Sequence, residues 1–212
     1  MKEFLQPGRY VDSAHPAVID FARKNSNGNT ERERAVSLYY AVRDAIRYNP
    51  FLDFSKEETY QASACLAAGE GFCVGKAALL AACARAIGIP ARVGFADVKN
   101  HLTTPALRER MGTDLFVYHG YCELLLEGRW VKATPAFNLE LCKRFHVKPL
   151  EFDGREDSIF HPFDEQDRRH MEYVRDRGTH ADVPVADIMQ AFREAYPALY
   201  NLGKSAAKER FG

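Results

Sequence analysis

A thiol placed where a glycine-bearing turn becomes a helix can do chemistry, and the stretch GEGFCVGKAALLAACARAIGIPARVGF (residues 69–95) puts Cys73 at such a point. The first backbone N–H groups of a helix have no partner within it and sit at the positive end of its dipole. Both effects favour a thiolate, so Cys73 is expected to titrate below an ordinary thiol. Gly69 and Gly71 permit close backbone approach, and the N–H of Cys73 can donate to an oxyanion formed at an attacked carbonyl. The chemistry this suits is acyl transfer; the plainer alternative is a small buried hydrophobe, as most free cysteines are.

A thiol nucleophile needs a base. His119 lies in LFVYHGYCELLLEGRWVKATPAFN (115–138), two runs of aromatic and branched residues joined by Glu127-Gly128, which reads as a β-hairpin. Alternation along the strand puts His119, Tyr121 and Glu123 on one face and Gly120, Cys122 and Leu124 on the other. With a two-residue turn, His119 faces Ala136, and Thr134 and Asn138 are its same-face diagonal neighbours. A lone strand histidine is also an ordinary packed residue.

Other groupings carry less. His119 and Cys122 with Cys142 and His146 have a spacing that suggests zinc, but residues three apart on a strand point to opposite faces. His161, His170 and His180 lack ligand spacing and read as surface or local hydrogen-bonding groups. Asn100 and His101 read as loop packing, Glu123 as a structural hydrogen-bonding group, and the balanced run DEQDRRH as a solvated segment. Cys65 and Cys83 read as core.

The elements that must position Cys73 and His119 follow from period and punctuation. HPAVIDFARKN predicts a helix with Pro16 near its start, and TERERAVSLYYAVRDAIRY a second one opened by a Thr30–Glu33 capping box and broken at NPFLDFS. Val74 to Ile87 suits a buried helix stopped by Gly88 as a left-handed cap, with Pro90 beyond. ARVGFADV predicts a strand, residues 100–113 an excursion with one short helical turn, and Val185 to Leu202 a final amphipathic helix before a frayed basic tail. The segment LEFDGREDSIFHPFDEQDRRHMEYVRDRG carries no clear period.

Composition bounds the function. The chain has 212 residues, 29 basic against 29 acidic side chains, 46% hydrophobic and 27% charged residues. These numbers fit a single globular domain and argue against a nucleic-acid partner. No apolar run is long enough for a membrane span or a secretion signal. Five cysteines without a CxxC spacing fit free thiols in a reducing compartment, so the expected location is cytoplasmic.

GFCVGKAALLAACARAIGIPARVGF, then HGYCELLLEGRW and WVKATPAFN, resembles the core of the transglutaminase-like superfamily over residues 35–138, with RAIGIPAR (85–92) in register with Cys73 and His119. The resemblance implies an α+β, papain-like fold in which a nucleophile-bearing helix packs on an antiparallel sheet. N-terminal helices precede this core, and an extension follows it over 139–212, in one domain. It further implies Cys73 as nucleophile, His119 as base, no cofactor and no metal. The acidic partner usual before the proline is here Thr134, and Tyr121 stands where the family often has Trp. A threonine hydroxyl can accept from the imidazole N–H but brings no charge. Asn138, or Asp153 or Asp157 folding back, are the other candidates for the third group. The expected function is cysteine-dependent hydrolysis or acyl transfer on an amide, with a peptide or protein as substrate, no nucleic acid and no membrane; oligomeric state is left open. The rival expectation is a peptide-binding module that keeps the cleft without turnover.

Overall fold

The computed structural model describes residues 1–101, 105–160 and 171–202. After a 3-10 turn at Lys2–Leu5 come helices α1 (Pro16–Asn25) and α2 (Glu31–Ala45). Pro16 occupies the first position of α1, and the Thr30–Glu33 capping box closes reciprocally at the start of α2. Helix α2 stops three residues short of the expected Tyr48. Its continuation turns extended at Ile46 and forms β1 (Arg47–Tyr48), which pairs in parallel with β2 (Glu70–Gly71). The buried ammonium of Lys76 takes up the freed end of α2, donating to the carbonyls of Arg43 (2.8 Å) and Ile46 (2.5 Å).

Between these strands, α3 (Ala62–Ala68) ends on Gly69 in the left-handed region (φ 63°). Helix α4 (Cys73–Ala86) follows, with every residue from Cys73 to Arg85 buried. Its alanines and Gly75 let α1, α2 and α3 close in around it, while its other side lies against the sheet. Gly88 (φ 86°) takes the expected left-handed cap, its N–H donating to the Arg85 carbonyl at 3.0 Å. Buried Arg85 ties this end down through the carbonyls of Ala91, Gln6 and Ala181.

The sheet is antiparallel, in the order β5 (Arg129–Ala133), β4 (Leu115–Leu126), β3 (Ala91–Asn100), β6 (Met171–His180). The excursion between β3 and β4 contains α5 (Pro105–Met111), and α6 (Leu139–Phe145) follows β5. Glu127 (φ 50°) and Gly128 (φ 80°) make the two-residue hairpin turn, which sets Leu126 opposite Arg129 and Cys122 opposite Ala133. The pairing stops there, so Ala136 never comes to face His119 on a ladder. On the inner face Gly120 lies so close to α4 that an added Cβ would stand 2.9 Å from Val74 Cα. On the other face the Tyr121 ring covers Gly94, and Arg92 both pairs with Glu123 (2.6 Å) and stacks on Trp130 (4.2 Å).

This is the α+β arrangement expected, a helix bearing Cys73 packed on an antiparallel sheet. Two departures concern the C-terminal part. Strand β6 was unmarked in the sequence because an exposed edge strand needs no apolar alternation. The expected final helix is two, α7 (Val185–Ala195) and α8 (Pro197–Leu202), because Pro197 pushes Tyr196 out of helical geometry (φ −133°, ψ 57°). His161, His170, the DEQDRRH run and the basic tail lie outside the described residues. Among the described residues no helix is long and apolar enough to cross a membrane.

Candidate active site

Cys73 is placed by the short parallel pairing of β1 with β2, which fixes the turn entering α4; the Asn49 N–H donates to the Gly71 carbonyl at 2.9 Å. Gly71 is required by packing, since a Cβ there would stand 2.5 Å from Cys65 Sγ. The residue at the cap of α4 is Phe72, whose side chain makes no capping bond, so the first N–H groups of the helix are left for whatever sits at Cys73. Those of Cys73 and Val74, together with the N–H of Gly120 on the facing strand, favour the thiolate. Burial is the larger influence. Cys73 is only 6% exposed, and its pKa is pushed up to about 11 rather than down as the helix start alone implied. Helix-end electrostatics is worth a fraction of what desolvating a charge costs.

His119 sits just after a bulge in β4. Ala96 pairs with His119 and Val98 with Phe116, which leaves an extra residue on β4, with Tyr118 at φ 52°. Asp97 holds the bulge by accepting from the Tyr118 N–H (3.0 Å), and Arg177 of β6 grips Asp97 through both carboxylate oxygens while lying over the Tyr118 ring. Neither Asp97 nor Arg177 stood out in the sequence, because the contact joins strands 80 residues apart. His119 is 3% exposed, and burial pulls its pKa down to about 3. Its Nε2 has no hydrogen-bond partner among the described residues, and its ring packs on Phe160 at 4.9 Å between centroids.

The candidates for a third group separate cleanly. Thr134 follows β5 and is 1% exposed; its carbonyl accepts from the Tyr39 hydroxyl (3.2 Å), but its Oγ1, like His119 Nε2, has no partner among the described residues. Asn138 Oδ1 accepts from the Tyr48 N–H (3.2 Å), tying β1 to the start of α6. Asp153 accepts from the N–H groups of Arg155 and Glu156 in its own turn, and Asp157 accepts from the Lys132 N–H. The segment does fold back: Ser158 bridges to Ala133 at the sheet edge. Among its described residues it brings Phe160 to the histidine.

Cys73 and His119 line one cleft. Its walls also include Tyr48 of β1, Leu107 and Met111 of α5, and Phe192 of α7. The other groupings lie elsewhere. His101 pairs with Glu172 and His180 packs on Phe95, while Cys65 and Cys83 are core, burial holding both thiols protonated. Among the described residues no three His, Cys, Asp or Glu side chains are grouped to hold a metal.

The sequence matches none of the curated proteins with which it was compared. Among solved structures it is similar to a candidate cysteine protease from Cytophaga hutchinsonii, at 18% identity and a TM-score of 0.47, over 84% of this chain and 53% of that one. The chain therefore spans about half the length of that protein. A family profile described as the transglutaminase-like superfamily matches residues 19–135, a stretch that holds α2, α4 and the hairpin and includes Cys73, His119 and Thr134. The chain belongs to the transglutaminase-like superfamily.

Proposed function

We propose that this protein is a cysteine-dependent hydrolase or acyltransferase acting on an amide of a peptide or protein. The observation that carries the reading is the meeting of Cys73, at a helix start with uncapped N–H groups, and His119 in one cleft. Cys73 Sγ attacks the carbonyl carbon as His119 takes the thiol proton; the C–S bond forms and the carbonyl oxygen becomes an oxyanion. His119 then gives the proton to the leaving nitrogen as the C–N bond breaks, leaving a thioester that water or an amine resolves.

With a thiol titrating near 11 and an imidazole near 3, the resting pair is neutral. Because burial disfavours both the thiolate and the imidazolium, proton transfer accompanies attack, and the N–H groups around Cys73 stabilise the charge as it develops. Ring packing by Phe160 does the orienting that a carboxylate does in a charged triad.

The test is to trap the thioester. Quenching the protein with an activated acyl ester and mapping it by mass spectrometry should find the acyl group on Cys73, with trapping lost in Cys73→Ala and slowed in His119→Ala. Acylation elsewhere, or none, removes the reading. One observation favours a rival: among the described residues Thr134 Oγ1 and His119 Nε2 are both without partners, as in a peptide-binding cleft relieved of turnover. That reading expects peptide binding with no thioester.

A further inference from the structure

We propose that the acyl portion presented to Cys73 is uncharged and apolar, aromatic by preference, and that α7 selects it. This rests on the thiol-enzyme reading and says what that enzyme acts on. Apart from Cys73 and His119 themselves, no described side chain lining the cleft is ionisable near neutral pH: no Asp, Glu, Lys or Arg is among the described lining residues. Phe192 of α7 closes one side, edge-on to Phe54 at 5.1 Å and angled to Phe72 at 6.2 Å. Leu107 and Met111, both buried, face the cleft from α5. An aromatic ring entering here meets ring edges and a thioether, both favourable neighbours.

A charged side chain would lose its water and find no counter-ion among the described lining residues, and a primary amide would find few free donors there. The Tyr196 hydroxyl is already committed, accepting from the Val117 N–H (2.6 Å) and donating to the Leu115 carbonyl (2.8 Å). That same bond pair pins the end of α7 onto β4, two residues before His119, so the selecting ring and the base are held by one strand.

The test measures binding without chemistry, in the full chain carrying Cys73→Ala and labelled at the methionine methyls. Titration with 3-phenylpropionamide should shift the Met111 methyl saturably and bind at least about 10-fold tighter than succinamate, a charged amide of similar length. Phe192→Leu, which keeps an apolar residue for folding, should weaken binding of 3-phenylpropionamide more than that of hexanamide and so erode that preference. Equal affinities, tighter binding of succinamate, or no shift at Met111 would overturn the inference. None of these outcomes bears on whether Cys73 is acylated, which is read separately in the unsubstituted protein.

Discussion

At the scale of single residues, the neutral resting pair sets the pH behaviour. Because burial holds the Cys73 thiol near 11, the reactive thiolate should grow tenfold per pH unit through the neutral range. Iodoacetamide alkylation of Cys73 is therefore expected to rise about 100-fold between pH 7 and 9. An ion pair with His119 would instead give a plateau across that range, and a plateau would refute the neutral pair. Thr134 makes a second case. Its hydroxyl has no partner among the described residues, so Thr134→Val removes no described bond and should leave stability within about 0.5 kcal/mol. This revises the expectation from sequence, in which the hydroxyl accepted from the imidazole. Thr134→Asp should restore a charge for the ring, raising the His119 pKa above about 3 and speeding Cys73 alkylation at neutral pH about 10-fold. The titration is followed by NMR of the imidazole, and an unmoved pKa would show that position 134 does not act on the histidine.

At the scale of elements, the contact that holds Cys73 and His119 together is between backbones. Gly120 meets Val74 and Cys73 at distances no other residue allows, with a built Cβ 2.9 to 3.2 Å from Val74 Cα, Val74 N and Cys73 C. Gly120→Ala should push the start of α4 off β4, cost about 1–3 kcal/mol in urea unfolding, and slow thioester trapping more than the stability loss explains. Equal stability would mean that the two elements slide apart freely. The elements themselves were largely legible. The Thr30–Glu33 box, Gly88 and the Glu127-Gly128 turn are local signals, and each does its work within a few residues of itself. What escaped was long-range: Lys76, which caps α2 from α4, and Asp97 with Arg177, which hold the bulge before His119. Cys73 and His119 could be named from spacing and family resemblance, but their pKa directions could not, because both follow from burial by α5, α7 and the segment ending at Phe160.

At the scale of the whole molecule, the C-terminal part is built into the site although the family match stops at residue 135. Tyr196 is the joint. Tyr196→Phe would leave the Val117 N–H and the Leu115 carbonyl without their partner, at a cost of about 1–3 kcal/mol. Its larger signature should be kinetic: with α7 loosened from β4, the cleft opens and Cys73 alkylation at fixed pH accelerates. A variant that unfolds more easily but alkylates at the original rate would separate α7 from the site and reduce it to packing.

The burial of Cys73 also bears on chemical durability. Oxidation by peroxide proceeds through the thiolate, and a cysteine kept protonated and enclosed offers little of it. The protein should therefore keep Cys73 as a free thiol after exposure to peroxide that converts an exposed, low-pKa cysteine to sulfinic acid, as read by intact mass. A thiol kept protonated inside its cleft is also one that survives while the cleft is empty.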